Sequence, residues 1–316
     1  MLTKIKPEMK NYGNLWKWCG LILLFSFMAL KLSAQEPQVK KRIAVFVFED
    51  KTDKSWRWWN NKGVGAGVSD MLTTALVKSG NYRVMERAEL DRILNEQDFG
   101  QSGRVTQQSA AKIGQVLGVE IAVIGSVSEF GYKKGETGGA IKGLGIGVSN
   151  QQAVVGVDVR MVNTDTGEII TAENVRKKKS AKGIKLRTNK LAFKDRKDFD
   201  ESLVGKAARE AIEDVVSMID NSANNIPWQA KVITEKGGIV FINSGETDGL
   251  KVGDVFAVYS KGEDLIDPDT GISLGSVDSK IGEIKITDAT VGNGKASKCS
   301  IVQGSGFVKG NFVRLK

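Results

Sequence analysis

The sequence predicts an α/β unit, a mixed sheet covered by helices, followed by a small all-β unit that is a barrel or a sandwich. Three observations lead there. From residue 42 to residue 219, short β-branched and aromatic runs alternate with segments whose apolar residues recur at helical spacing. The stretch Asn221-Ser-Ala-Asn-Asn-Ile-Pro227 then has the composition of a connector. Beyond it the helical period is lost, and short strands alternate with turn clusters such as Gly245-Glu-Thr-Asp-Gly249 and Asp267-Pro-Asp-Thr-Gly271.

The first residues are of a different kind. Lys4, Lys6, Lys10 and Lys17 precede a nearly all-apolar run from Leu21 to Leu30, and Leu32-Ser33-Ala34-Gln35 follows. A basic head, an apolar centre of about 10 residues and a small residue at the exit read as a secretory signal peptide over 1–34. A spanning helix needs about 20 apolar residues. Lipid attachment would require a cysteine at the end of the apolar run, whereas Cys19 sits at its start, so a lipoprotein is not expected.

The α/β unit is expected over 38–221. Arg42 to Phe48 reads as a buried first strand; Val64, Val68, Met71, Leu72, Ala75 and Leu76 mark a helix that Gly80 stops. Asn81–Glu86 reads as a second strand. Leu90, Ile93, Leu94 and Gln97 mark a short helix, and Thr106 is the expected N-cap of another. Val119–Val127 reads as a third strand, after which a Gly-rich stretch from Gly131 to Gly147 interrupts the pattern. Ala153–Val162, the turn Asn163–Gly167 and Glu168–Val175 form a strand pair, and Val204, Ala208, Ala211, Ile212, Val215 and Ile219 mark a final helix. A linker is expected over 222–228 and the β unit over 229–316. Its strands are Val232–Thr234, Ile239–Ile242, Val255–Tyr259, Ile281–Ile286, Ser300–Val302 and Asn311–Leu315.

Composition excludes most catalytic chemistry. The chain has no His and two Cys, Cys19 and Cys299, so Ser-His-Asp and Cys-His nucleophile systems and His/Cys zinc sites are excluded. No enzyme, cofactor or metal is expected. Cys299, alone after the leader, reads as a small buried hydrophobe. Residues 1–34 hold five Lys and one Glu, which supply +4 of the net +9 and leave +5 on the remainder. That excess lies mainly in one run, Arg176-Lys177-Lys178-Lys179 through Lys197. Export argues against a nucleic-acid partner.

Three motifs merit weighing. Gly63-Val-Gly65-Ala-Gly67 resembles a phosphate-binding turn but lacks the last Gly of GxGxxG, and no GK[ST] exists; close packing at a helix start explains it. Trp56-Arg57-Trp58-Trp59-Asn60-Asn61 puts three indoles in one polar loop, either as a contact surface or folded over the unit's own sheet edge. Within the basic run, Ile184-Lys185-Leu186-Arg187 and Leu191-Ala192-Phe193-Lys194 alternate around Thr188-Asn189 as a hairpin would. Each Lys or Arg of such a hairpin at the lipid midplane would cost about 2–4 kcal/mol.

Several stretches together resemble the CsgG/HfaB family: Ile43-Ala-Val-Phe-Val-Phe-Glu-Asp50, Met71-Leu-Thr-Thr-Ala-Leu-Val-Lys-Ser-Gly80 and Val84-Met-Glu-Arg-Ala-Glu-Leu-Asp-Arg-Ile-Leu-Asn-Glu-Gln97. Gly125-Ser-Val-Ser-Glu-Phe-Gly-Tyr132 and Val157-Asp-Val-Arg-Met-Val-Asn-Thr-Asp-Thr-Gly-Glu168 follow in the same order, so the likeness covers about 40–220. The tail, with Gly249-Leu-Lys-Val-Gly-Asp-Val-Phe-Ala-Val-Tyr259, is similar to the carboxy-terminal domain of the flagellar protein FlgT. The resemblance implies a homo-oligomeric ring at the outer membrane that secretes polypeptide cargo for a curli-type surface structure. It implies two hairpin insertions per copy, about 133–160 and 172–200. Their candidate membrane-facing residues are Leu144, Ile146, Val148, Ile184, Leu186, Leu191 and Phe193. A loop after the first strand would form the constriction, which falls on Trp56, Trp58, Trp59, Asn60 and Asn61. The alternative is a soluble periplasmic scaffold that docks on a larger envelope machine without forming a pore.

Overall fold

The structure is a computed structural model. It describes residues 39–52, 63–85, 106, 108–109, 118–137, 148–182, 193, 195–269 and 273–316. Residues 38–316 form one compact unit. It contains the mixed, helix-bearing sheet, then the β unit, and the latter is a closed barrel rather than a sandwich.

The sheet is built from β1 (Lys41–Val45), β2 (Glu49–Asp50), β3 (Tyr82–Val84), β4 (Ile121–Thr137), β5 (Val148–Asn163) and β6 (Ile169–Lys182), in the order β3-β1-β4-β5-β6 with β2 beside β4. β1 runs parallel to β3 and β4, while β4, β5 and β6 are antiparallel neighbours. Helices α1 (Val64–Ser79), α2 (Arg196–Glu201) and α3 (Leu203–Ala223) supply the other elements. Val64, Val68, Leu72 and Leu76 of α1 and Val204, Ala208, Ala211, Val215 and Ile219 of α3 form buried stripes at helical spacing. They share one core with Ile43, Ile121, Val123, Val157 and Met161 of the sheet.

The helix ends follow their sequence signals. Gly80 ends α1 at φ 72°, a left-handed conformation that costs Gly little. Ser202 Oγ accepts from Gly205 N–H at 3.0 Å at the start of α3, and Asp195 Oδ1 accepts from Asp198 N–H at 2.9 Å at the start of α2. At Thr106 the expected cap is present: Ser109 N–H donates to Thr106 Oγ1 at 3.2 Å, and Thr106 N–H to Ser109 Oγ at 2.9 Å. Gly65 in the first turn of α1 serves close packing, since a Cβ there would lie 2.0 Å from the Phe48 carbonyl oxygen. Phe48 N–H donates to Ser69 Oγ at 2.8 Å, tying β1's exit to that helix.

The barrel closes in the order β12-β13-β8-β7-β14-β9, all antiparallel, from β7 (Gln229–Lys236), β8 (Ile239–Ile242), β9 (Val255–Ser260), β12 (Ser279–Thr290), β13 (Ala296–Gly304) and β14 (Phe312–Arg314). Val232, Ile242, Phe256, Val258, Ile284 and Val313 fill it. Cys299 belongs to this core at 1% exposure, and burial pushes its thiol up to about 12. A separate ribbon, β10 (Asp264–Ile266) with β11 (Ser273–Ser276), lies outside the barrel.

Two expectations are corrected. The Gly-rich stretch does not end the strand: β4 continues through Gly131 and Gly135, paired in register to Thr137↔Val148. Backbone pairing to β5 needs no side chain, and Gly131 takes φ 142° just after a bulge between Val127 and Glu129. The stretch 222–228 is no slack linker. α3 continues to Ala223, Ile226 is 2% exposed within the sheet's core, and Trp228 is 4% exposed within the barrel's.

Polar contacts fix the two parts further. Arg42 binds Glu120 through Nη2 at 2.9 Å and donates from Nη2 to the Gln229 carbonyl at 2.9 Å. Burial pushes the Glu120 carboxyl up, and Arg42 opposes that push. Arg83 Nη1 contacts both oxygens of the fully buried Asp248 at 3.0 and 3.1 Å, where Ser244 Oγ also donates at 2.7 Å.

Candidate assembly surface

Most of the residues singled out in the sequence, namely Trp56, Trp58, Trp59, Asn60, Asn61, Leu144, Ile146, Ile184, Leu186 and Leu191, lie outside the described residues. Val148 opens β5, opposite Thr137. Phe193 corrects its assignment to a membrane-facing hairpin: it is 8% exposed and meets the Phe199 ring edge-on at 5.0 Å. Phe199 in turn stacks on Phe130 at 6.4 Å, so the segment entering α2 is anchored by an aromatic cluster in the sheet's core.

The described part of the surface is the run-out of β4, β5 and β6. β4 and β5 have 17 and 16 residues, against five in β1. Ala153 of β5 belongs to the buried core, and Tyr132 of β4 packs against that core. Past that level Lys133–Thr137 pairs with Val148–Gln152, and β6 follows through Lys182↔Asn150. Five further residues in each of β4 and β5, and three in β6, extend the ribbon by up to about 17 Å.

β6 has 14 residues and is the sheet's outer strand. Its basic run is fastened on both faces. Lys177 Nζ reaches Asp214 at 2.6 Å and Lys179 Nζ reaches Glu210 at 2.5 Å, both on α3. On the other face Arg176 grips Glu129 through Nε and Nη2, each at 3.0 Å. The two side chains belong to β6 and β4 and meet across Gly156 of β5, which stands between them in register. The side-chain hydrogen bond to Glu129 raises the Arg176 pKa, and that to Asp214 raises Lys177.

Nearer the base, the face carrying Arg176 holds a cavity of about 370 Å³ lined by Glu49, Lys51, Asp158, Arg160 and Glu173 over Gly125. Asp158 accepts from Ser126 Oγ at 3.2 Å and from the Asn174 side-chain amide. Gly125 is required there, because a Cβ would lie 2.5 Å from the Asp158 carbonyl oxygen. No group of three or more His, Cys, Asp or Glu among the described residues is placed to hold a metal ion. Among them, too, no helix is long and apolar enough to cross a membrane.

Sequence reasoning missed the Arg176–Glu129 bridge and the length of β4. The available signal was Glu129 and Arg176 flanking a small residue on a common face. Reading it requires the β4–β5–β6 register, which the Gly-rich stretch obscured.

Comparison with known proteins supplies a family. The family model described as "Curli production assembly/transport component CsgG" matches residues 26–250, ending before most of the barrel. The chain is similar to the curli production assembly/transport components CsgG of Salmonella typhimurium and Escherichia coli (strain K12), each 29% identical over 150 residues. That alignment covers 45% of this chain and 54% of each relative, so the chain spans about half the length of the curated relatives it matches. Among solved structures, the hypothetical protein CT253 from Chlamydia trachomatis aligns over 58% of this chain and 97% of its own, at 15% identity and a TM-score of 0.39.

Proposed function

The chain belongs to the CsgG family of curli production assembly/transport components, and on that premise we propose that it is a self-associating envelope component that secretes or assembles a surface structure. The observation that carries this reading is the length of β4 and β5, paired as far as Thr137↔Val148, with β6, among the described residues, last in the sheet's strand order. An edge strand presents a row of unpaired backbone groups to another chain. Identical copies adding head to tail close into a ring when the rotation per copy divides the circle. In this reading the leader directs export, the protein resides in the periplasm or at the outer membrane, and the β4–β5 hairpin and the chain after β6 are each copy's share of a common wall. The loop holding Trp56, Trp58, Trp59, Asn60 and Asn61 lines the passage and grips an unfolded polypeptide without sequence preference. Other envelope proteins are further partners. The chain supplies surfaces and no catalysis.

The alternative, a soluble periplasmic scaffold without a pore, draws support from Lys133, Lys134 and Glu136 at the run-out, since charge on a lipid-facing strand costs about 2–4 kcal/mol per Lys at the midplane. Fractionation separates the two. A heat-modifiable ring released only by detergent is the expected result; quantitative recovery as monomer in the osmotic-shock fraction overturns the channel. Trp59→Ala is expected to impair transport with Tm unchanged, and a large fall in Tm would make the indole part of a core.

A further inference from the structure

We infer that the cavity where the start of the sheet meets the barrel, ringed by Lys40, Lys41 and Lys251, binds a phosphate monoester group. The cavity encloses about 600 Å³, within the usual range for ligand sites. Lys40 and Lys41 enter it from the beginning of β1, and Lys251 from the stretch that leads into β9. Asn81, Tyr82 and Asp220 complete the polar lining.

The backbone holds the three lysines in place. Val39 packs against the barrel's core, Lys40 N–H donates to the Asp248 carbonyl at 2.7 Å, and Lys41 pairs with Tyr82 in the ladder of β1 and β3. Lys251 follows Leu250, which is buried in the barrel's core, and its backbone N–H donates to Asp254 at 2.8 Å. Cations fixed beside one another repel, and a bound anion relieves that repulsion. Burial pushes the Lys41 ammonium below the ordinary lysine range, with Glu120 opposing.

The charge count names the ligand. Among the described residues no carboxylate forms an ion pair with Lys40, Lys41 or Lys251. The neighbouring carboxylates are engaged elsewhere, Glu120 with Arg42 and Asp248 with Arg83, and Asp254 is not part of the lining. The lining carboxylate, Asp220, accepts from neutral donors, the Tyr82 hydroxyl at 2.7 Å and the Asn81 amide at 3.4 Å. Three cations against that carboxylate leave a surplus of two. A phosphate monoester carries about −1.5 to −2 at neutral pH and offers three acceptor oxygens, which ammonium groups meet as point charges. A carboxylate or a phosphodiester, with a single charge, leaves half the surplus unmet.

The test uses the full chain, with inorganic phosphate titrated by calorimetry against chloride of equal ionic strength. Saturable phosphate binding is expected, weakened at least tenfold by Lys41→Gln with Lys251→Gln and unchanged by Lys206→Gln, which removes an exposed charge on α3. Asp220→Asn should tighten it at least threefold, which a merely structural role would not do. Lys251→Gln alone, at an exposed position, should weaken binding at least threefold and keeps the test decisive if the paired variant fails to fold. Co-sedimentation with phosphatidylcholine vesicles that do or do not contain phosphatidic acid separates the sources. Retention on phosphatidic acid that free phosphate competes away assigns the site to a lipid headgroup, and phosphate binding without retention assigns it to a soluble phosphate ester. Absence of saturable phosphate binding, equal weakening by Lys206→Gln, or indifference to Lys251→Gln overturns the inference.

Discussion

The barrel and the sheet treat strand edges in opposite ways. Six strands of the barrel close on one another, so every backbone row has a neighbour and the core from Val232 to Val313 is complete within one chain. The sheet is open among the described residues: β6, of 14 residues, is last in its strand order and pairs along β5 as far as Lys182↔Asn150. Closure removes a template for association, and an open edge retains one. The contrast lies within one fold: the barrel is finished as it stands, while on the proposed reading the sheet's pairing capacity is kept for another chain.

Four measurements break or sharpen that contrast. The largest effect is expected from Phe199→Ala, which empties a fully buried site between Phe130 and Phe193 and should cost about 3–5 kcal/mol by denaturant unfolding. A loss below about 1 kcal/mol would return the segment 193–199 to an extended hairpin. Next, Arg83→Met strips the cation from buried Asp248 and should cost about 3 kcal/mol. Hydrogen exchange should then accelerate in both β3 and the 244–249 turn; acceleration in one alone would mean the ion pair does not couple them.

Alkaline titration probes the closed part. The Cys299 thiol is held at about 12 when folded, against an ordinary 9.0, so between those values the unfolded chain has lost a proton that the folded chain keeps. Stability should fall by about 1.4 kcal/mol per pH unit from this group alone. That contribution is fully present below pH 9 and lost as pH rises toward 12. Cys299→Ala should flatten that slope; an unchanged slope would place the thiol in contact with solvent. The smallest effect is expected on the open part. Arg176→Ala breaks an exposed bridge and should leave Tm nearly unchanged. A clear fall in Tm would show that β6 depends on that bridge.

The legible features were those written locally. All six strands that close the barrel are visible as apolar runs between turn clusters, and α1 and α3 as apolar stripes, the first ended by Gly80. The β10–β11 ribbon was not, because its strands have three and four residues and the Asp267–Gly271 cluster between them reads as a turn alone. β4 was cut short for the related reason that glycine carries no pattern, although backbone pairing continues through it. The contacts joining sheet to barrel were invisible because they depend on distance along the chain: Arg42 and Gln229 are 187 residues apart, and Arg83 and Asp248 are 165 apart. Of the candidate surface, the order of strands was readable. The pairing of Lys177, Lys179 and Arg176 with Asp214, Glu210 and Glu129 was not.

Ile226 and Trp228 stand two residues apart in separate hydrophobic interiors, with the Gln229 carbonyl next to them bound by Arg42. Such a junction behaves as a weld and not a hinge. Tension applied to the barrel meets no coil to stretch; it reaches the end of α3 at once and is borne by the sheet. Whatever grips one half therefore holds the orientation of the other, and a protease finds no slack at which to part them.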